Sequence, residues 1–119
     1  MTIKKILTEP NTLLRQVSKP VEKVTKVEQS LMDDMLETMY DANGIGLAAI
    51  QIGEPKRIIV MDLTKEEKRT NPMYFVNPII LNKVKEKSLY EEGCLSVPNQ
   101  FAEVERPSKC EVEYLDYNG

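Results

Sequence analysis

The sequence predicts a single α+β domain in which one amphipathic helix is followed by short antiparallel strands. Three observations favour this class. The clearest helical period lies near residues 25–44, runs rich in apolar and β-branched residues follow it, and no internal repeat or linker interrupts the chain. Because 119 residues suit one hydrophobic core, we interpret residues 1–119 as one folding unit.

The helix is the most strongly specified element. Residues 1–24 are expected to be irregular apart from one short helical turn within "NTLLRQVS". Thr25 followed by Glu28 forms a capping-box pattern, which predicts that the helix begins there. Asn43-Gly44 is expected to end the helix, because glycine tolerates the left-handed backbone that a helix stop requires. The predicted apolar stripe consists of Val27, Leu31, Met35 and Met39, widened by Leu36 and Tyr40.

Short strands are predicted after the helix. The run "RIIVMDL" (57–63) is nearly continuous in apolar residues, as is typical of a buried strand, and the polar stretch 65–72 is predicted to be a loop. "YFVNPIILNKV" (74–84) is expected to be extended, with Pro78 forcing an edge position or a bulge. Three further strand candidates are "LSVP", "FAEVERP" and "KCEVEYLDY", and Cys110 in the last of these is interpreted as a core or sheet residue.

The last strand candidate runs into Asn118-Gly119, a dipeptide that favours a tight hairpin turn. Since a hairpin turn returns the chain as a second strand, we expect that the domain is truncated at its C-terminus.

Composition excludes several classes of protein. A net charge of −3 with interleaved acidic and basic residues argues against a nucleic-acid partner. No apolar run approaches the roughly 20 residues that a membrane span requires, and the N-terminus has no secretory signal. Two cysteines are too few for a disulfide framework, so a reducing cytoplasm is the expected location.

The first of two glycine-containing motifs is "GIGLAAIQIG" (44–53). Its G-x-G-x-x-A spacing is that of a dinucleotide-binding turn, but such a turn follows a strand and opens a helix, whereas here the order is reversed. Alternatively, Gly44 caps the helix and the small residues pack closely. Neither interpretation explains Gln51, whose side-chain amide is suited to donating a hydrogen bond to an oxyanion.

The second motif is "EEGCLSVP" (91–98). Cys94 is either a small buried hydrophobic residue or a thiolate that acts as nucleophile or metal ligand. Gly93 would let a substrate backbone approach, and Leu95 offers a backbone N–H beside the sulfur. The sequence contains no histidine, which excludes a Cys-His pair, and one thiolate cannot hold a catalytic metal alone. Cys94 is therefore structural, or its partners lie outside these residues.

Together the two motifs resemble the first and second signature motifs of bacterial peptide deformylase. The resemblance extends over essentially the whole chain, including "ILTEPNTLLRQVSKPV", "MDDMLETMYDANG" and "RIIVMDL". It implies a metal-dependent hydrolase that removes the formyl group from the N-terminal formylmethionine of nascent proteins. The implied metal is Fe2+, with Zn2+ or Ni2+ as substitutes.

The resemblance also implies a role for each site residue. Cys94 is the implied metal ligand, while the side-chain amide of Gln51 and the backbone N–H of Leu95 are the implied donors to the formyl oxygen. The implied substrate contacts are Ile45, Gly46 and Gly93 through the peptide backbone, and Glu92 as part of the methionine pocket.

One departure from the family pattern governs the expected activity. The third motif, H-E-x-x-H on a C-terminal helix that fills the core, is absent, and it supplies two histidine ligands and the catalytic glutamate. We therefore expect the chain alone to be inactive, to hold no metal stably and to self-associate through exposed core surface. The alternatives are a non-catalytic peptide-binding homologue and one half of a split enzyme.

Overall fold

The computed structural model describes residues 2–64 and 71–119. The predicted loop at 65–72 therefore lies outside the described residues, except for its last two positions. One α-helix among the described residues packs on antiparallel strands, so the predicted α+β class is confirmed. The elements in chain order are a 3₁₀-helix at Thr12–Arg15, α1 at Lys26–Asp41, β1 at Gly46–Ala48, a second 3₁₀-helix at Ala49–Ile52, β2 at Ile58–Met61, β3 at Met73–Lys83, β4 at Lys87–Cys94, β5 at Val97–Pro107 and β6 at Cys110–Leu115.

The strands form two sheets. Four strands pair antiparallel in the order β1-β2-β3-β6, and β4 and β5 form a separate antiparallel hairpin. Helix α1 packs against β1 and β2. The buried core between them contains Met32, Met35, Met39, Leu47, Ala49, Ile58, Val60 and Val76. No helix in the described part of the chain is long and apolar enough to cross a membrane.

Helix α1 begins where the sequence predicts. Thr25 is the N-cap, its backbone N–H donates to Glu28 at 2.9 Å, and the reciprocal capping box is present. The predicted apolar stripe is wrong in part: Val27 is 65% exposed, whereas Met32, which the stripe omits, is completely buried. A strict four-residue repeat drifts by about 40° per step around a helix of 3.6 residues per turn. Two steps from Met35, Val27 has therefore rotated away from the sheet.

Helix α1 ends at Asp41, just before the predicted stop at Asn43-Gly44, but the left-handed residue is not the predicted glycine. Asn43, not Gly44, adopts the left-handed conformation, with φ at 56°. The Gly44 N–H donates to the Met39 carbonyl at 2.9 Å, and the Asn43 N–H donates to the Tyr40 carbonyl at 3.0 Å, which is the Schellman pattern. A Cβ atom at Gly44 would lie 2.7 Å from Cδ1 of Leu95. Glycine is therefore required at position 44 mainly for close approach between the helix end and Leu95.

The predicted irregularity at Pro78 is confirmed. The register of β3 against β6 shifts between Val76 and Ile79, and Asn77 takes a positive φ of 52°. The Asn77 side chain bonds both backbone groups of Val21, each at 2.7 Å, and so ties the N-terminal segment to this bulge. Cys110 lies in β6 but is exposed, so its sheet assignment is right and its core assignment is wrong.

The β4–β5 hairpin differs most from the prediction. Strand β4 was not predicted, because "KSLYEEGC" lacks a regular apolar alternation. "LSVP" is not a strand throughout: Leu95 and Ser96 form the turn, and β5 runs from Val97 to Pro107 through "FAEVERP". Cross-strand pairing with β5 gives β4 its extended conformation.

A buried carboxylate follows β2. Asp62 is inaccessible to solvent and accepts hydrogen bonds from the Tyr40 hydroxyl at 2.6 Å, the Thr64 N–H at 2.9 Å and the Asn71 N–H at 3.3 Å. Its own N–H donates to the Ile45 carbonyl at 3.0 Å. Asp62 therefore joins the end of α1 and the chain after β2 to the segment that precedes β1.

We expect Asp62 to make the stability of the protein depend on pH in the acid range. Burial alone would raise the pKa of Asp62, but hydrogen bonds from Thr64, Tyr40 and Asn71 lower it from 3.8 to about 2. Because the folded-state pKa is the lower one, the stabilisation is complete above pH 3.8 and is lost as the pH falls towards 2. Urea unfolding of the natural chain and of Asp62→Asn at several pH values tests this. The stability difference between them should shrink across that window, and a constant difference would contradict the assignment.

Candidate active site

The residues singled out by the two motifs border one groove. This groove has a volume of about 860 Å³ and lies between the end of α1, the start of β1 and the β4–β5 hairpin. Its lining includes every predicted site residue: Ile45, Gly46, Gln51, Glu92, Gly93, Cys94 and Leu95. Two segments that are far apart in sequence thus meet at one surface.

Gln51 lies in the second 3₁₀-helix, and its side chain is held at both ends. Its Oε1 accepts the Ala48 N–H at 3.0 Å. Its Nε2 donates to Ser96 Oγ at 3.1 Å and approaches Cys94 Sγ at 3.6 Å. Because the oxygen is fixed on the Ala48 N–H, the NH2 group must point towards the sulfur.

Ser96 is a site residue that the sequence reasoning missed. Its side chain is buried, and it accepts the hydrogen bond that orients Gln51. Its carbonyl also accepts the Glu9 N–H at 2.8 Å, which connects the turn to the N-terminal segment. The sequence offered one signal for this role, a serine two positions after Cys94 in the otherwise apolar "LSVP". That its hydroxyl bonds Gln51 could be known only from the fold.

Cys94 ends strand β4, and its thiol is exposed and free of a disulfide. The interpretation of Cys94 as a buried hydrophobic residue is therefore wrong. Leu95 follows in the turn, where its N–H has no acceptor among residues 2–64 and 71–119. The sulfur, the Gln51 amide and a backbone donor consequently lie within one stretch of the groove.

Two strand edges also border the groove. Strand β1 pairs with β2 on one side, and β4 pairs with β5 on one side, so within the described chain each retains an edge without a neighbouring strand. Gly46 on β1 and Gly93 on β4 both line the groove. Unpaired strand edges can bind an extended peptide through main-chain hydrogen bonds.

Glu92 borders the groove but is already paired. Its two carboxylate oxygens accept hydrogen bonds from the Arg106 guanidinium at 2.9 and 2.8 Å, across the β4–β5 hairpin. The side-chain hydrogen bond from Arg106 lowers the pKa of the Glu92 carboxyl, and the same contact raises the pKa of Arg106. Glu92 therefore presents to the groove an ionised carboxylate that Arg106 holds in place.

The groove does not contain a complete set of metal ligands. Within the described ranges, no three side chains of the metal-ligating types His, Cys, Asp and Glu come together in a way that could hold a metal ion. Cys94 is the candidate ligand that the groove presents, and the sequence offers no histidine to accompany it.

Comparison with known proteins identifies the family. The family model for polypeptide deformylase matches residues 3–119. The peptide deformylase of Pelagibacter ubique is 71% identical over 119 residues, which cover all of this chain and 69% of that protein. The peptide deformylase of Hyphomonas neptunium is 62% identical over 120 positions, covering all of this chain and 68% of the relative.

Solved structures agree with this assignment. Peptide deformylase from Ehrlichia chaffeensis in complex with actinonin superposes with a TM-score of 0.94 at 43% identity, over all of this chain and 72% of that one. The enzyme from Legionella pneumophila superposes with a TM-score of 0.92 at 42% identity, over 99% of this chain and 68% of that one. The fold predicted from the resemblance is thus confirmed. The chain belongs to the polypeptide deformylase family, a family of enzymes, as its two motifs predicted.

Proposed function

We propose that this chain forms the formyl-binding and peptide-binding part of a hydrolase that removes the formyl group from the N-terminal formylmethionine of nascent proteins. One observation carries the proposal: the Gln51 amide, fixed by Ala48 and Ser96, points its NH2 group at Cys94 from 3.6 Å away, inside a groove with two open strand edges. We place this activity in the cytoplasm, where nascent chains emerge, and it requires no nucleic-acid or membrane partner.

The formyl oxygen binds between two donors, the Gln51 side-chain amide and the Leu95 N–H. When water adds to the formyl carbon, negative charge develops on that oxygen. Donors that are already oriented stabilise this charge without reorganising, and a single donor of this kind contributes roughly 2.7–4 kcal/mol to transition-state stabilisation. The bond from the Ala48 N–H to Gln51 Oε1 supports such pre-orientation, because it holds the amide in place before substrate arrives.

The peptide lies extended in the groove, between the open edges of β1 and β4. Ile45, Gly46 and Gly93 contact its backbone, and Glu92, held by Arg106, lines the side of the methionine pocket. Main-chain hydrogen bonds do not depend on side-chain identity. This mode therefore suits an enzyme that must accept many different nascent chains.

The metal that the family resemblance implies is Fe2+, replaceable by Zn2+ or Ni2+. The described residues do not fit such an ion by themselves, since Cys94 is one thiol ligand and a catalytic site normally requires three protein ligands. We propose Cys94 as the ligand that this chain contributes. The 119 residues alone are accordingly inactive and hold no metal stably.

Apolar side chains exposed on the sheets support the expected self-association of the isolated chain. Ile79, Ile80 and Leu81 on β3 and Leu89 on β4 are each at least half exposed. Exposed apolar surface favours contacts between molecules.

Peptide binding by the 119-residue chain is the first test of the proposal. In an NMR titration, formyl-Met-Ala-Ser should shift the amide signals of Gln51, Gly93 and Leu95, and Met-Ala-Ser without the formyl group should bind more weakly. Equal binding of the two peptides would contradict a formyl-binding site.

Release of formate is the second test. The chain alone, supplied with Fe2+ or Ni2+, should release none, and turnover by it would refute the proposed incompleteness. A fusion to the part of the Pelagibacter ubique relative beyond its match, where the resemblance implies the H-E-x-x-H motif, should release formate. We call this fusion the completed chain. If it is inactive, a non-catalytic peptide-binding homologue is favoured; if the same segment restores activity as a separate chain, a split enzyme is favoured.

A further inference from the structure

Phe101 is a groove residue to which neither motif assigns a role. It lies directly across the hairpin from Gly93 in the β4–β5 register. A Cβ atom added at Gly93 would be 2.7 Å from Cε1 and 2.8 Å from Cδ1 of the Phe101 ring. Real Cβ atoms do not approach other atoms so closely, so the ring occupies the space that a side chain at position 93 would fill.

The ring is not part of the core. Phe101 is 69% exposed, although it borders both the main groove and a smaller cavity of about 350 Å³ beside Cys94. Four other aromatic rings of the described chain form pairs, Tyr74 with Tyr117 at 4.9 Å and Phe75 with Tyr114 at 4.4 Å between centroids. Phe101 has no such ring partner within residues 2–64 and 71–119.

The surroundings of Phe101 make this part of the groove apolar. Val97 is 36% exposed on the same hairpin, and Ile45 is 58% exposed at the opposite wall. A single exposed apolar residue is ordinary on a protein surface. Three of them, Phe101, Val97 and Ile45, border the groove that Cys94 also lines, and together they form a surface that an apolar ligand group can cover.

The position of the ring relative to Cys94 indicates which part of a peptide it meets. A peptide whose formyl group lies at Cys94 and Gln51, and which runs along the open edge of β4, advances by about 3.3 Å per residue. The residues that follow the formylmethionine therefore pass close to Gly93 and the ring that covers it.

We propose that Phe101 is a specificity-determining residue: its ring receives an apolar side chain from the first two residues after the formylmethionine. This inference rests on the proposed function and deepens it, because backbone contacts give general affinity while Phe101 adds a preference among substrates. Aromatic rings bury large apolar areas with little loss of conformational freedom, which suits such a contact.

The test compares formyl-Met-Leu-Leu with formyl-Met-Asn-Asn, since asparagine is close to leucine in shape but polar. Affinities are measured by NMR titration of the full 119-residue chain. The natural chain should bind the leucine peptide about tenfold more tightly, corresponding to one well-buried apolar contact. Phe101→Ala should remove most of this preference by weakening the leucine peptide alone, and Phe101→Leu should retain a large part of it.

Leu89→Ala is the matched control, because Leu89 is 64% exposed on the same hairpin but does not border the groove. It should leave both affinities unchanged. If Phe101→Ala weakens both peptides equally, or neither, the inference is overturned while the proposed function stands. If the natural chain binds every peptide equally well with and without the formyl group, both the proposed function and this inference are overturned.

Discussion

Replacing Gln51 with alanine is expected to lower the turnover number of the completed chain by about 10²- to 10³-fold, the usual cost of losing one oriented oxyanion donor. The Nε2 atom that donates to Ser96 at 3.1 Å and reaches Cys94 at 3.6 Å is the donor removed. The Michaelis constant should change much less, since the charge on the formyl oxygen develops in the transition state. Steady-state formate release from formyl-Met-Ala-Ser measures both constants.

A second glutamine provides the control for this experiment. Gln100 also borders the groove, but it is exposed, and the side-chain amide that reaches Cys94 and Ser96 is that of Gln51. Gln100→Ala should keep turnover within about twofold, as expected for a surface substitution. A loss of less than fivefold in Gln51→Ala would show that the amide does not act as a donor to the reacting oxygen.

Replacing Met32 with alanine is expected to lower the free energy of unfolding by about 2–5 kcal/mol, the range for truncating a buried methionine. Met32 is completely buried in the core between α1 and the sheet. Truncation removes apolar contacts and leaves a cavity that the neighbouring Met35 and Met39 can fill only in part.

Val27→Ala is the matched control on the same helix. Val27 is 65% exposed, so its truncation should change the free energy of unfolding by no more than about 0.5 kcal/mol. Urea unfolding of both variants distinguishes the two possible faces of α1. If Val27→Ala costs more than Met32→Ala, Val27 and not Met32 contributes to the core, as the stripe predicted from the sequence has it.

Much of the site could be named from the sequence, because the two motifs place rare residue types in short, distinctive patterns. Gln51 and Cys94 stand out chemically within "GIGLAAIQIG" and "EEGCLSVP". Ser96 and Phe101 do not, since only what lies opposite each residue distinguishes it: Gln51 for the hydroxyl and Gly93 for the ring.

What the sequence determined by itself is local. The start of α1 depends on Thr25 and Glu28, three residues apart, and the irregularity in β3 depends on Pro78, which cannot donate a ladder hydrogen bond. Such features are fixed by interactions within a few residues, and any fold that contains the segment reproduces them.

The tertiary structure alone decided which surfaces meet. It buried Met32 instead of Val27, gave β4 its extended form through pairing with β5, and brought the Gln51 amide to Cys94 across 43 positions of the chain. Burial and strand pairing depend on the summed contacts between distant segments. Such contacts produce no periodic pattern in the sequence of either segment. The sequence motifs could therefore identify Gln51 and Cys94 as candidate site residues. Only the packing of the helix end against the hairpin turn set the distance between them.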